Sequence, residues 1–422
     1  MPLAYFVDEI ESPFVINDIK RIASKVDVIY LFSVDALEGK YALPRNVIVF
    51  EEFVDWNNYK PLHLVLKNLF PILGIYIREC FAIKKILPFK KSIALFASNI
   101  FKAECAMKKI KFEREKGIKT PHSSSLIPIP QACGTFSLIG YSFWFYDCIY
   151  LSWMRKKGWI SKAISRAHGG DLFEYRSSLF GKILLRNFQF KYLDMIFSVS
   201  KSGEHYLKEK YRGCQQKIST SYLGSGDFGF SDSFNLNEPF ILMSCAKVRS
   251  IKRIHKIAEM LQYIDFPITW IHLGDENLTA QKDFSIPLYV ENKEKLISKS
   301  NVKFIAKGLI SNDDIIKYYK ENQVNLFISL SEAEGIPVSI MEAISFGIPV
   351  LSTDVGGCKE IVTEETGILI PLETEMKEVA QIITEFKNSP QNTIEFRKGV
   401  RKFWEEHFDA EKNYVAFFKI LN

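Results

Sequence analysis

Ser329-Leu-Ser-Glu-Ala-Glu-Gly-Ile-Pro-Val-Ser-Ile-Met-Glu-Ala-Ile-Ser-Phe-Gly-Ile-Pro-Val-Leu-Ser-Thr-Asp-Val-Gly-Gly-Cys-Lys-Glu360 reads as the end of a buried strand, a short acidic loop, a helix, a second strand and a glycine turn. Gly335 permits close backbone approach, and Pro337 suits the first turn of a helix, where its missing N–H costs nothing. The helix spans Val338 to Phe346, and its N-terminus offers free N–H groups and the positive end of the dipole. The loop end at Gly335, Ile336, Pro337 and Val338 is thus a natural seat for a diphosphate. Glu342 falls in the second turn, where a carboxylate accepts paired hydroxyls such as those of a ribose. Glu334 stands in the loop at the helix mouth, placed to hold hydroxyls on whatever the diphosphate carries. Gly356 and Gly357 give a second turn whose backbone N–H groups face the same region.

The same alternation extends outward in both directions. Phe240 to Ala246, Ile268 to Gly274, Val302 to Ala306, Asn325 to Leu330 and Ile348 to Thr353 read as strands. Ile251 to Tyr263 and Asp313 to Glu321 read as helices between them. In the first half, Leu3 to Val7, Val15 to Lys25 and Asp27 to Ser33 form a strand–helix–strand unit, whose crossover forces a parallel sheet. From Tyr59 to Gly117 only helical patterns occur, broken at Pro88. The polar stretch Gly224 to Pro239 is the best linker in the chain. The fold class is therefore α/β, with two doubly wound, Rossmann-like domains and the cleft between them as the default site. The boundaries fall at 1–228 for the first domain and 229–405 for the second.

At 422 residues, two domains of this kind fit the length, and 47% hydrophobic with 25% charged residues excludes disordered, collagen-like and disulfide-scaffold classes. The net charge of +6 is unevenly placed. Lys84 to Lys119 carries eleven basic residues against three acidic ones, a net of +8 that leaves −2 for the rest of the chain. A uniformly basic nucleic-acid binder is excluded. In the basic segment, Ile93, Phe96, Ala97, Ile100, Ala103, Met107 and Ile110 form a helical stripe, with most lysines off it. Such a helix either covers the sheet with a solvated face or lies on an anionic membrane surface. Leu69 to Ile77 is too short to span a bilayer, and Phe136 to Met154, interrupted by Gly140 and Asp147, reads as strand then helix. The Met1 to Asp8 start lacks the features of a signal peptide, which predicts a cytoplasmic protein. Seven scattered cysteines, with no C-x-x-C pair, read as reduced core residues.

Glu334 and Glu342, in an E-G-I-P-V-S-I-M-E-A setting followed by F-G-I-P-V and G-G-x-x-E, resemble the donor-site motif of family-4 retaining glycosyltransferases of the GT-B fold. Ser244-Cys-Ala-Lys-Val-Arg-Ser-Ile-Lys-Arg253 resembles the stretch in which that family grips the donor diphosphate with an Arg and a Lys. Lys252 takes the Lys position and Lys247 the Arg position, with Arg249 or Arg253 close enough to supply the bidentate fork that Lys lacks. Gly274-Asp275 and Lys307-Gly308 close strands whose loops line the donor in the family. Glu11-Ser-Pro-Phe-Val-Ile-Asn-Asp-Ile resembles the S-E-T-F-I-x-N-E-I opening of bacterial polysaccharide enzymes, which gives Ser12 an acceptor-side role. Tyr141-Ser-Phe-Trp-Phe145 and Ser165-Arg-Ala-His-Gly-Gly-Asp-Leu-Phe-Glu-Tyr-Arg176 are similar to the Y-S-Y-W and S-R-A-H-G-x-D-L-Y segments of the same enzymes. The resemblance makes His168 the cleft histidine on the donor sugar or phosphate and puts Asp171 on the acceptor side. The 406–422 helix resembles the terminal helix that completes the first domain in GT-B enzymes.

The resemblance implies sugar transfer, with retained anomeric configuration, from a nucleotide-diphosphate sugar (UDP- or GDP-linked) to a saccharide, polyprenyl-linked acceptor in surface polysaccharide assembly. His168, Glu334 and Lys252 are the catalytic candidates. Donor contacts come from Lys247, Gly335, Ile336, Pro337, Val338, Glu342, Gly356 and Gly357. No cofactor is expected, and activity is expected to be metal-independent, because no D-x-D pair stands in a metal-binding context. The acceptor would bring an anionic membrane surface to the 84–119 segment, as for a peripheral protein on the inner face of the plasma membrane. A nucleotide-sugar epimerase or phosphorylase of the same fold, and a non-catalytic partner protein, are the alternatives.

Overall fold

The computed structural model describes all residues except 8–11, 34–41, 52–65, 85, 116–136, 147, 177–183, 232–238, 275–282 and 422. Glu11, Lys85, Lys116, Gly117, Lys119, Asp147, Asp275 and the 232–238 part of the expected linker lie outside the described residues. The chain forms two compact units, 1–199 with 203–220 and 200–202 with 221–422, the last helix counting with the second.

Among the described residues of the first unit, seven parallel strands run β1 Pro2–Val7, β2 Val28–Ser33, β3 Val47–Phe50, β4 Ile139–Ser142, β5 Lys162–Ala167, β6 Met195–Ser198 and β7 Ile218–Thr220. Their order in the sheet is β3-β2-β1-β4-β5-β6-β7. Tyr5 in β1 pairs with Leu31 of β2 and Tyr141 of β4. Every residue of β2 is buried, as a parallel strand covered on both faces requires. Helix Pro13–Ala23 crosses from β1 to β2 with Lys20 and Arg21 in its last turn, where cations suit the helix dipole. The helical middle of this half is two helices, Leu69–Ile83 and Phe89–Glu115, separated at Pro88. The 136–154 region is a strand, β4, followed by helix Ile149–Lys156. No described helix is long and apolar enough to cross a membrane.

The described residues of the second unit form six parallel strands: β8 Phe240–Cys245, β9 Ile268–Leu273, β10 Val302–Ala306, β11 Leu326–Ser329, β12 Val350–Thr353 and β13 Gly367–Ile370. Their order is β10-β9-β8-β11-β12-β13. Counted within the unit, that is 3-2-1-4-5-6, the Rossmann order, whose switch point lies between β8 and β11. A ligand of such a sheet binds beyond the carboxyl ends of those two strands. The core is built on Leu242, Trp270, Leu326, Ile328 and Leu351, with Trp270 Nε1 donating to Ser244 Oγ at 3.0 Å.

Two expectations change. The start of the linker is packed: Ser225 N–H donates to Phe408 O and Ala410 N–H to Ser225 O, each at 3.0 Å, while Trp404 Nε1 donates to Ser225 Oγ at 2.8 Å. Its polar composition supplies hydrogen-bond partners here, not flexibility. Of the described cysteines, all free, Cys148 and Cys358 are buried, while Cys80, Cys105, Cys214 and Cys245 are half-buried.

Candidate functional site

The two sequence segments with charged donor-site candidates meet at the switch point of the second sheet. β8 ends at Cys245, and the chain turns through a 3-10 helix, Ser250–Lys252. β11 ends at Ser329 and leads through the acidic loop to helix Val338–Ser345. Glu332 N–H donates to Ile251 O at 2.8 Å, which docks the acidic loop on the 3-10 turn. Beside that bond, Lys252 Nζ lies 2.6 Å from Glu334 Oε1. The Glu334 side chain is 11% exposed and that of Lys252 32% exposed, so the ammonium is more accessible than the carboxylate.

The glycine turn braces the loop from behind. Gly356 has φ +56°, and a Cβ there would stand 2.1 Å from Glu334 O; a Cβ on Gly357 would stand 2.5 Å from Gly335 O. Gly357 N–H donates to Gly335 O at 2.8 Å. Contrary to the sequence reading, this N–H is spent on the loop and does not face a ligand. Glu360, which closes the motif, accepts from the N–H groups of Lys201 and Ser202 at 2.7 and 2.9 Å and from the Tyr222 hydroxyl at 2.7 Å. Pro337 is the residue before the helix, with ψ 111°, rather than part of its first turn. Its carbonyl accepts the first helical bond, from Met341 N–H at 3.3 Å.

Glu342 is buried, with Oε1 accepting from Asn312 Nδ2 at 2.8 Å. Burial pushes its carboxyl up to about 7, and the Asn312 bond opposes that shift. Asn312 was not singled out by the sequence reading. Ser311-Asn-Asp-Asp is a legible helix start, with Ser311 Oγ accepting from Asp314 N–H, but no local signal names Glu342 as the partner of Asn312. Among the basic residues near Lys252, Lys247 is exposed. Arg253 is committed elsewhere, donating to Leu372 O at 2.9 Å. Arg249 is half-buried, and its charge helps hold the Asp283 carboxyl below its ordinary value, after the Ser285 hydrogen bond that dominates.

The first unit holds the remaining candidates. Ser12 is the residue before helix Pro13–Ala23, half-buried, and its side chain makes no capping bond. His168 follows β5 and opens the one-turn helix Gly169–Leu172. Its ring is half-buried against Phe143 and Trp144, at centroid distances of 4.5 and 4.6 Å. Burial, with Arg166 close by, holds the imidazole well below its ordinary range, so it is neutral at pH 7. A neutral ring with Nε2 3.0 Å from Phe143 O carries its proton on Nε2. Asp171 is fully buried, and its two carboxylate oxygens accept from His168 N–H and Phe145 N–H, each at 2.5 Å. Arg186 braces the same turn, donating to Asp171 O at 2.8 Å and Phe145 O at 2.9 Å. Asp171 therefore holds the 143–146 turn and His168 in place. Among the described residues, no group of three or more His, Cys, Asp or Glu is placed to hold a metal ion.

Residues 280–403, which contain Glu334, Glu342 and the glycine turn, match the family described as glycosyl transferases group 1. The matched stretch lies wholly within the second unit. The amylovoran biosynthesis glycosyltransferase AmsK of Erwinia amylovora is 23% identical over 278 residues, 62% of this chain and 63% of the relative. The O-antigen biosynthesis glycosyltransferase WbnH of Escherichia coli is 26% identical over 264 residues, 61% of this chain and 66% of the relative. The match thus spans just under two thirds of the length of these relatives. Anabaena HepE, solved in complex with UDP, superposes with a TM-score of 0.70 at 14% identity, covering 100% of this chain and 99% of that one. The fold is GT-B, built from two Rossmann-like units.

Proposed function

We propose that the chain is a retaining glycosyltransferase that moves a sugar from a nucleotide-diphosphate sugar, UDP- or GDP-linked, to a hydroxyl of a lipid-borne saccharide in bacterial surface polysaccharide assembly. The observation that carries this reading is the Lys252–Glu334 pair at the switch point of a 3-2-1-4-5-6 sheet, beside a helix N-terminus. The names of the relatives support the polysaccharide context.

Lys252 and Glu334 neutralise each other. A donor diphosphate replaces Glu334 at the Lys252 ammonium, with Lys247 and the helix end at Ile336 to Val338 adding positive potential. Glu334, released, accepts from hydroxyls of the sugar. The sugar–oxygen bond of the donor breaks with its electron pair going to the diphosphate, so the charge that grows there meets fixed cations and backbone dipoles. The acceptor oxygen bonds to the anomeric carbon on the same face, and its proton passes to the leaving phosphate; no protein base is required. Glu342 holds the ribose diol, oriented by Asn312. His168 contributes a neutral hydrogen-bonding edge to the donor sugar, Asp171 positions it, and Ser12 belongs to the acceptor side. Gly335, Gly356 and Gly357 keep the Glu334 loop in its shape.

The test is transfer, or slow hydrolysis, of a panel of UDP- and GDP-sugars by the full chain, with Glu334→Ala and Glu342→Ala alongside. Turnover lost in both variants is the expected result. Wild-type rates in both would reject the site, and a free epimerised sugar nucleotide as product would replace transfer by epimerisation.

A further inference from the structure

Helix Leu69–Ile83 is apolar on two opposite faces. Ile72, Ile75 and Glu79 point into the first unit and are buried. Phe70, Ile77 and Phe81 lie on the other side and are 84%, 50% and 78% exposed. At about 100° per residue these three fall within roughly 40° of one another, a single ridge facing away from the core. Leu66 extends it at one end, and Ile86 and Phe89 extend it around the turn into the next helix; Ile86 is 89% exposed.

The turn is stapled, so the exposure is built in. The Tyr76 hydroxyl donates to Leu87 O at 2.7 Å, the Leu87 side chain is buried, and the Tyr76 and Phe89 rings meet edge-on at 5.1 Å. A helix apolar on two opposite faces is ordinarily covered on both, and this one is 15 residues, about 22 Å long, too short to span a bilayer.

Charge decides the occupant. Residues 66–103 contain seven basic side chains and one acid, Glu79. That acid faces inward, accepting from Phe188 N–H and from Asn187 Nδ2 at 3.1 Å. Arg78, Lys84, Lys90 and Lys91 are exposed beside the ridge. Two lysines further along the basic helix lie over rings of the unit, Lys102 over Tyr150 at 5.9 Å and Lys109 over Phe50 at 5.3 Å. An apolar ridge with a purely cationic rim complements the interface of an anionic bilayer, where rings and aliphatic chains sink below the headgroups and lysines meet the phosphates.

We infer that the helical hairpin from Leu66 to Lys91 docks on an anionic lipid surface by insertion of Phe70, Ile77, Phe81, Ile86 and Phe89, with Arg78, Lys84, Lys90 and Lys91 on the phosphates. This deepens the lipid-borne acceptor of the proposed function, resting on that reading for its purpose. It moves the membrane contact from the length of the 84–119 segment to the 66–91 hairpin.

The test is co-sedimentation of the full chain with phosphatidylglycerol–phosphatidylethanolamine vesicles at low salt and at about 0.5 M salt, where charge attraction is screened. The wild type is expected to bind at low salt and to retain part of that binding at high salt. Phe70→Ser/Phe81→Ser/Ile86→Ser is expected to bind at least about tenfold more weakly at both, with an unchanged thermal midpoint because the side chains are already exposed. Lys84→Gln/Lys90→Gln/Lys91→Gln removes the salt-sensitive part alone. Ile297→Ser/Leu309→Ser, equally exposed in the second unit, binds as the wild type. Wild-type binding by the serine variant overturns the inference, as does a wild-type dimer in sedimentation velocity that this variant dissolves. Glu334→Ala, inactive on soluble donors yet still vesicle-bound, separates failure of the proposed activity from failure of docking.

Discussion

Lys252 and Glu334 are 82 residues apart in sequence and 2.6 Å apart in space, joined because Glu332 N–H donates to Ile251 O beside them. One backbone bond between two loops thus sets the distance between a cation and a carboxylate at the carboxyl ends of adjacent strands. The pair is half-shielded, so removing either partner leaves a charge poorly compensated.

Lys252→Ala is expected to lower transfer from a nucleotide sugar by about 10²- to 10³-fold, the scale on which one fixed charge acts on a leaving group. Lys252→Arg, which keeps the charge, is expected to recover part of the rate. Steady-state transfer assays with both variants check this, and an unimpaired Lys252→Ala enzyme would remove Lys252 from the site.

Gly356→Ala forces a Cβ against Glu334 O from a left-handed backbone. An expected loss of about 1–3 kcal/mol in unfolding free energy, with a fall in transfer rate, follows from strain in the loop that carries Glu334. Gly399→Ala, in helix Ile394–His407 with nothing within 4 Å of its Cβ, is expected to be neutral or to stabilise by up to about 1 kcal/mol. Urea unfolding of the two variants makes the comparison.

Burial disfavours the charged form of Glu342 and pushes its carboxyl up to about 7. Its folded value lies above the ordinary carboxyl value of 4.5, so stability declines as pH rises from about 4.5 to about 7 and stays lower above that. Glu342→Gln is therefore expected to raise the thermal midpoint at pH 8 relative to wild type and to change it little at pH 4. With Glu342 on the ribose diol as proposed, donor binding is expected to have the opposite slope: the diol needs the carboxylate, so wild-type affinity for UDP or GDP is expected to rise through pH 7. Calorimetric titration across that range is expected to show no such step in Glu342→Gln.

Asp171 and His168 separate positioning from contact. Asp171→Ala strands the N–H groups of Phe145 and His168 in the core, with an expected cost of about 2–5 kcal/mol and a low thermal midpoint. His168→Ala removes a half-buried ring and is expected to lower kcat for donor turnover by more than about tenfold with a much smaller change in midpoint. Equal effects of the two changes on stability would make His168 a structural residue.

The alternation of strands and helices, the break at Pro88 and the acidic loop between β11 and its helix were legible because each is local. Parallel strands buried on both faces read as apolar runs, and Pro337 and Gly335 mark a helix mouth wherever they stand in this pattern. Glu334, Glu342 and Lys252 could be picked out for the same reason: residue type and spacing lie within single segments. Their partners were not legible. Asn312 on Glu342, Glu360 on the 201–202 backbone and Gly357 on Gly335 are contacts between segments that only the sheet order brings together. The sequence also placed a +8 segment without showing which of its lysines face solvent. By itself it determined the α/β pattern, the charges and the motif; the 3-2-1-4-5-6 order decided the rest, because hydrogen bonding between parallel strands sets which loops share an edge, and no local pattern encodes that neighbourhood.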